Sequence, residues 1–308
     1  MRHRYHSNGK LLISGEYLVA RGGKALVVPV KLGMWMEVAL RESQNGRYIN
    51  WNARVMDRDW FNARISMPEM IVSDTSDDGI AGRLAEILKA VDELNKELMH
   101  ARCEYDIKTH TEFDQAWGLG SSSALIANLA QWAGIDPFEL FFRVSGGSGY
   151  DVAAALARGP IVYSAVDRQV RISPVLFLPS FRDHLWFAYL GNKQDTNQSL
   201  GQFNLHITTD EFDTGFMNSL THSLLHASSL HDFMHYMHEH EIFLSQLLGE
   251  RPVKDEKFHD FKGEIKSLGA WGGDFIMIAS ENSPDYVRSY FTGRRMPFLF
   301  SFDELILT

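Results

Sequence analysis

A segment rich in glycine and serine, GLGSSSAL at residues 118–125, has the composition of a phosphate-binding loop. Its two glycines let the backbone approach a ligand closely, and residues 124–133, ALIANLAQWA, have the composition of a helix. The first N–H groups of a helix lack an intrahelical partner, so they attract an anion. The residues expected to contact a phosphate chain are Gly118, Leu119, Gly120, Ser121, Ser122 and Ser123. A tight loop with serine caps and no ligand is the alternative that this segment leaves open.

Other chemistries do not fit this loop. It lacks the Gly-Lys-Ser/Thr of a Walker loop, and Ser123 stands where a dinucleotide fingerprint would have its third glycine. The Gly-x-Ser-x-Gly turn of the hydrolases fits neither this loop nor the segment SGGSGYD at residues 145–151. The loop therefore favours binding of a phosphate group over nucleophilic catalysis by serine.

An aspartate and a lysine elsewhere in the chain could supply acid–base and charge chemistry. Asp151 follows Gly149 at the predicted start of a short helix, where a carboxylate can accept a proton from a substrate or simply cap the helix. Lys10 lies at the start of an apolar segment, where it could balance negative charge or be an ordinary surface lysine.

Composition restricts the classes of protein to consider. The chain has 308 residues, of which 45% are hydrophobic and 22% charged, as expected for a globular protein with a proper core. Its formal charge of -9 argues against nucleic-acid binding, although a local cradle could still hold an anion. No apolar stretch is long enough for a membrane helix, and a single cysteine, Cys103, suggests a reducing compartment. We therefore expect a cytoplasmic protein without a membrane partner.

Hydrophobic periodicity predicts strands and helices in both halves of the chain. Helices are predicted at residues 80–99, 124–133, 152–157 and 210–248, and a further helix is predicted to begin at Asp136 as its cap. Strands are predicted within residues 11–40 and at 105–109, 161–166, 184–190 and 275–279. This pattern indicates an α+β protein, with a second unit beginning near residues 165–180.

Four segments, in order along the chain, resemble the motifs of the GHMP kinases. They are NGKLLISGEYLV at residues 8–19, GLGSSSAL at 118–125, SGYDVAAA at 148–155 and GAWGGD at 269–274. The first and third segments are most similar to the mevalonate-pathway branch of that superfamily. Two departures are Asp114 to Trp117, where the family usually has proline, and Trp271, where it usually has glycine.

The resemblance implies an ATP-dependent and Mg²⁺-dependent small-molecule kinase. It implies that residues 118–123 hold the phosphates of ATP, that Asp151 is the catalytic base, and that Lys10 lies near the transferred phosphoryl group. It also implies that Ser122 is a magnesium ligand together with an acidic residue, for which Glu139 is the candidate.

The acceptor implied by the resemblance is mevalonate, with phosphomevalonate as the nearest alternative. The residues expected to contact it are Glu16, Lys193, Thr196, Gly272 and Gly273. Glu16 could instead buttress the first motif. A related decarboxylase and a nucleotide-binding protein without catalysis are the alternatives from other classes.

The fold implied by the resemblance has two domains and an active site in the cleft between them. Residues 1–170 would form an N-terminal ATP-binding α/β domain, and residues 171–308 would form a C-terminal ferredoxin-like α/β domain. Histidines spaced four apart between residues 222 and 240 lack a recognisable zinc motif. The phenylalanines and methionines nearby predict a helix that packs on the core or on a partner subunit, so a homodimer stays open.

Overall fold

The computed structural model describes residues 2–42, 47–98, 103–191, 214–269, 274–296 and 298–308. The chain divides into two compact units whose segments alternate along the sequence. The first unit comprises Met1–Gly9, Leu32–Gln115 and Leu119–Leu156, and the second comprises Lys10–Lys31, Ala116–Gly118 and Ala157–Thr308. The division into domains at residue 170 stays a prediction.

Among the described residues, five strands precede the first α-helix, and strands and helices are mixed from there on. Up to residue 156 they are β1 (Arg2–Ser14), β2 (Ala25–Glu42), β3 (Tyr48–Val55), β4 (Arg58–Ser66), β5 (Ile71–Thr75), α1 (Asp78–Leu94), β6 (Cys103–Thr111), α2 (Ser121–Ala133), α3 (Pro137–Val144) and α4 (Tyr150–Leu156). The later elements are β7 (Ile161–Val166), β8 (Gln169–Pro174), β9 (Leu185–Tyr189), α5 (Gly215–His226), α6 (Leu230–Leu248), α7 (Val253–Lys257), β10 (Glu264–Leu268), β11 (Phe275–Ala279), α8 (Pro284–Gly293), β12 (Leu299–Ser301) and α9 (Phe302–Leu305).

In the first unit the strands β5-β4-β3-β6-β2 are neighbours in that order, and β1 also pairs with β2. Within the series from β5 to β2, the β3–β6 pair is parallel and the other three pairs are antiparallel. Side chains alternate between the faces of this sheet, because successive residues of a strand point to opposite sides. In β3, for example, Ile49, Trp51 and Val55 are buried, whereas Asn52 and Arg54 are exposed. The buried face packs with α1, α2 and α3 in one hydrophobic core, and the other face is polar.

The second unit contains a four-stranded antiparallel sheet with the order β10-β11-β9-β12. All five residues of β11 are buried, as are the first four of β9. Buried residues of α7 and α8 pack against this sheet in an apolar cluster that includes Val253, Val287 and Phe291. In the same unit β7 pairs with the first residues of β2 and with β8.

Most predicted elements are found, and two helices differ at their ends. Helix α1 ends at Leu94 instead of residue 99, because Asn95 leaves the helical region and its amide donates to the carbonyl of Ala133 at 2.7 Å. The long helical stretch before residue 248 is divided, because the Ser229 hydroxyl caps a new helix by accepting from the N–H of Asp232. Within the part of the chain that the structure describes, no helix combines the length and apolarity needed to cross a membrane.

Candidate active site

The glycine and serine segment forms a loop that leads directly into helix α2. Gly118 and Gly120 have left-handed backbones, with φ of 67° and 86°, which glycine adopts readily. Gly120 is the residue before the helix, and it has no side chain to cap the first turn. The first N–H groups of α2 therefore have no side-chain cap from Gly120, and their role as an anion site stays a prediction.

The three serines of this turn differ in exposure. Ser122 is exposed, Ser121 is half-buried and Ser123 is 8% exposed. The exposed hydroxyl of Ser122 is therefore the one most open to a ligand, whereas Ser123 contributes mainly to packing. Leu119, inside the loop, is fully buried and anchors the loop to the protein interior.

Lys10 lies beside this loop. Its ammonium group donates to the carbonyl of Gly118 at 3.1 Å, although 108 residues separate the two in sequence. The expected place of Lys10 near the transferred phosphoryl group stays a prediction.

An aspartate that the sequence analysis did not single out also touches the loop. A Cβ atom built on Gly118 would lie 1.8 Å from Oδ2 of Asp274, so only glycine leaves room for this carboxylate. The carbonyl of Asp274 accepts from the N–H of Leu190 at 2.9 Å, which fixes the residue at the start of β11. Its position directly after a glycine-rich segment was the signal that could have identified it.

Trp117 anchors the other side of Gly118. Its ring lies 4.6 Å from Phe298 and between 5.9 and 6.1 Å from three more aromatic rings, measured between centroids. Those three rings belong to Tyr189, Phe275 and Phe300. The unusual tryptophan before the loop is therefore a packing residue that holds residues 116–118 on the four-stranded sheet.

Asp151 lies in the first turn of the short helix α4, as predicted. Gly149 precedes this helix with φ of 90°, and its carbonyl accepts from the N–H groups of Val152 and Ala153. Helix α4 packs against α2, the helix that begins with the serines of the loop. Two helices of one unit thus carry both the predicted phosphate ligands and the predicted base.

Glu139 occupies the first turn of α3, which Asp136 caps as predicted by accepting from two backbone N–H groups. The Glu139 side chain is 59% exposed, and its carboxylate lies 3.5 Å from the guanidinium of Arg143. It is accessible to a ligand but already weakly paired. The described residues contain no group of three or more His, Cys, Asp or Glu side chains placed to hold a metal ion.

Glu16 lies in a sealed ionic cluster that the sequence analysis missed. Its carboxylate is 2.6 Å from Nζ of Lys266 and 3.0 Å from Nε2 of His240, and all three residues are almost completely buried. Next to them, Glu241 accepts from the backbone N–H of Ser267 at 3.1 Å. We call Glu16, His240, Glu241 and Lys266 the buried cluster. Its burial favours the buttressing role for Glu16 over contact with a substrate.

Burial and neighbouring charges set the protonation states in this cluster. Burial raises the pKa of Glu241 to about 8, despite the opposing charge of Lys266. Burial, together with Lys266, lowers the pKa of His240. Burial acts to raise the pKa of Glu16 too, but Lys266 and His240 outweigh it, and the net pKa lies below its ordinary value. Near neutral pH the cluster therefore holds an ionised Glu16, a neutral His240 and a largely protonated Glu241.

The remaining predicted contacts with the acceptor are not described. Lys193 and Thr196, and Gly272 and Gly273, lie outside the described residues. Their roles stay predictions. The predicted strand before residue 191 and the strand after residue 274, which flank them, are both present.

No family model matches the sequence, and no curated protein matches it significantly. Solved structures do match it. The mevalonate kinase of Methanococcus jannaschii is similar with a TM-score of 0.72 and 14% identity, over 100% of this chain and 99% of that chain. The phosphomevalonate kinase of Streptococcus pneumoniae, solved with phosphomevalonate and AMPPNP, gives 0.70 and 15%, over 97% and 99% of the two chains.

A third similar structure is the galactokinase of Lactococcus lactis complexed with galactose, with a TM-score of 0.71 and 11% identity, over 99% of this chain and 93% of that chain. At such low identities the similarity establishes the fold alone. The chain has the two-domain α+β fold of the GHMP kinases, and the fold class predicted from the sequence is confirmed.

Proposed function

We propose that this chain is an ATP-dependent phosphotransferase of the GHMP kinase superfamily that transfers the γ-phosphoryl group of ATP to a hydroxyl of mevalonate. The observation that carries the proposal is the glycine loop with an uncapped helix start, which lies in a chain that shares its fold with kinases over nearly its full length. A fold alone does not establish an activity, so the roles below are assigned from the residues themselves.

We assign binding of the phosphate chain of ATP to the loop at residues 118–123. The uncapped N–H groups of the α2 start, the dipole of that helix and the exposed hydroxyl of Ser122 suit a polyphosphate. Lys10, bonded to Gly118, adds a charge that stabilises negative oxygens on the transferred group.

Asp151 is assigned the role of general base. It would accept the proton of the acceptor hydroxyl while that oxygen bonds to the γ-phosphorus and the bond between this phosphorus and the β,γ-bridging oxygen breaks, so that ADP leaves. Its position in the first turn of α4, on a helix packed against α2, supports this assignment.

We assign binding of the Mg²⁺ that accompanies ATP to Ser122 and Glu139. Magnesium prefers oxygen ligands and keeps waters and phosphate oxygens, so it needs few protein groups. An exposed hydroxyl and an exposed carboxylate fit that requirement. When bound, the ion would neutralise negative charge on the phosphates. We also propose that the acceptor contacts Lys193, Thr196, Gly272 and Gly273.

An assay of ADP release with ATP, Mg²⁺ and a panel of acceptors tests the proposal. Mevalonate is expected to give the highest turnover, and preference for phosphomevalonate would select the alternative acceptor. ATP binding without ADP release for any acceptor would show a non-catalytic nucleotide-binding protein instead. Release of carbon dioxide from diphosphomevalonate would identify a decarboxylase.

Variants separate the assigned roles. Asp151→Asn should lower turnover by about a hundredfold or more and leave ATP binding intact. Asp78→Asn is the matched control, because Asp78 also lies in the first turn of a helix, α1. Ser122→Ala and Glu139→Gln should each raise the Mg²⁺ concentration needed for half-maximal turnover. An unchanged magnesium titration would remove that residue from the metal site.

A further inference from the structure

The polar face of the sheet in the first unit contains a cavity of about 610 Å³, lined throughout by residues of that unit. Cavities of 300 to 1,000 Å³ are typical of sites for small molecules. Its floor follows the outward positions of four neighbouring strands, β2, β6, β3 and β4. The helices of this unit pack on the opposite face, so the cavity is separate from the core.

Two rows of side chains cross these strands in register. One row is Glu37, Lys108, Asn52 and Asn62, and the next is Trp35, His110, Arg54 and Asp59. The strand spacing of about 4.8 Å gives each row a span of roughly 14 Å over three steps. The floor therefore offers ammonium, amide and guanidinium groups over a distance that suits a ligand of one or two rings.

Tryptophan side chains stand at both ends of the floor. Trp35 is held in place by Glu112, whose carboxylate accepts from the indole N–H at 3.0 Å, and by the guanidinium of Arg4, 4.0 Å from the ring centroid. Trp60 is the extra residue of a β-bulge, because Ala53 pairs with Phe61 while Arg54 pairs with Asp59. A bulge changes the direction in which a side chain points. Here the Trp60 indole, which is 38% exposed, lines the cavity.

Charge pairing leaves a positive surplus in the cavity. Arg54 is 3.2 Å from Asp59, and Glu37 is 3.7 Å from Arg2, so the two acidic groups are compensated. Among the described residues, the ammonium group of Lys108 has no ion pair or hydrogen bond, and the same holds for the amides of Asn52 and Asn62. Although Glu37 faces Lys108 in register, the three cations Arg4, Arg54 and Lys108 of the lining exceed Glu37 and Asp59 by one charge, which favours an anion.

We propose that this cavity binds a phosphorylated sugar. The phosphate would lie on Lys108, and the unpaired amides of Asn52 and Asn62 offer both donors and acceptors to hydroxyl groups. The indole of Trp60 suits the C–H face of a sugar ring, since an aromatic ring combines apolar area with a defined orientation. A nucleic acid does not fit, because its repeated phosphates require more cations than this surface has.

Calorimetric titration of the full chain with glucose 6-phosphate tests the proposal, with glucose and inorganic phosphate as the component controls. Glucose 6-phosphate should bind saturably, and each component should bind at least tenfold more weakly. Lys108→Met should weaken binding of glucose 6-phosphate at least tenfold, and Trp60→Ala should do the same. Lys89→Met, which removes an exposed lysine of α1, is the matched control and should leave the affinity unchanged.

Three results of the binding measurements would overturn the proposal. They are the absence of saturable binding at millimolar glucose 6-phosphate, an affinity that Lys108→Met leaves unchanged, and AMP binding that is tighter than glucose 6-phosphate and equally dependent on Trp60. Sedimentation at two protein concentrations provides a further readout. Self-association that Trp60→Ala abolishes would assign this face to a second copy of the chain and would also overturn the proposal.

Discussion

The buried cluster around Glu16 and the floor of the sheet cavity contain the same kinds of residue in opposite surroundings. Each combines a lysine, a histidine and two carboxyl groups. In the buried cluster, Lys266 and Glu16 are almost fully buried and lie 2.6 Å apart. On the cavity floor, Lys108 is exposed and has no ion-pair partner among the described residues. Removal from water forces charges to pair with each other, whereas exposure leaves one free for a ligand.

The largest expected effect comes from breaking the buried pair. Lys266→Met would leave the charge of Glu16 buried without its closest partner, and we expect a loss of about 3–5 kcal/mol in the free energy of unfolding. Urea denaturation measures this loss. The double variant Glu16→Gln with Lys266→Met, which removes both charges, should recover most of it. Equal loss in the double variant would mean that the pair matters for its shape and not for its charge.

The pH dependence of the buried cluster gives a second test. Because the pKa of Glu241 is raised to about 8 in the folded protein, from 4.5 in an unfolded chain, the folded state holds an extra proton between these values. Its contribution to stability is complete below about pH 4.5 and is lost as the pH rises through about 8. Glu241→Gln should therefore become more stable relative to the parent protein as pH rises, by on the order of a few kcal/mol.

Urea denaturation at pH 5.5 and at pH 8 measures this difference. Lys266 opposes the effect by attracting the ionised form of Glu241, whereas Glu16 reinforces it. Lowering the pH also weakens the fold through His240, because its pKa is lowered in the folded protein and the unfolded chain therefore takes up the proton first as the pH falls below the ordinary value of 6.5. A constant difference between Glu241→Gln and the parent at the two pH values would contradict the raised pKa.

The contact between Asp274 and Gly118 is intermediate between the buried cluster and the cavity floor. The Asp274 side chain is half-buried, and its carboxylate lies against the backbone of Gly118. Gly118→Ala adds a Cβ into that carboxylate at a left-handed φ of 67°, and we expect it to lower the unfolding free energy by about 1–3 kcal/mol. Gly249→Ala is the control, because φ there is also positive, at 70°, but the added Cβ meets nothing within 4 Å. Similar losses in both variants would attribute the effect to φ alone.

The smallest effect is expected on the cavity floor. Lys108→Met removes an exposed charge with no ion-pair partner among the described residues, so the free energy of unfolding should change by about 0.5 kcal/mol or less. Urea denaturation of this variant beside Lys266→Met compares the two lysines directly. If Lys108→Met lost nearly as much unfolding free energy as Lys266→Met, the difference in exposure would not explain the different roles of the two lysines.

Sequence patterns predicted the elements that depend on local interactions. Asp136 before Pro137 predicted the start of α3, because the cap and its N–H partners lie within three residues of each other. The same holds for the glycine loop before α2. The contact of Lys10 with Gly118 was not predicted, because no local rule connects residues 108 positions apart.

The buried cluster could not be predicted in this way. Lys266 and Glu16 are 250 residues apart, and each stands in a segment where a charged residue ordinarily faces water. Only the packing of α6 and β10 around Glu16 removes that water. The bulge at Trp60 could not be predicted either, because the register of two strands decides which way an extra residue points.

The aromatic surroundings of Trp117 have an optical consequence. An indole held between several rings gives a strong near-ultraviolet circular dichroism signal, and that signal depends on small changes in ring geometry. Since Gly118 directly follows this tryptophan, a ligand that moves the loop backbone would also alter the dichroism of residue 117. The chain thus carries a built-in spectroscopic probe next to its candidate phosphate site, and no label needs to be attached to follow its occupancy.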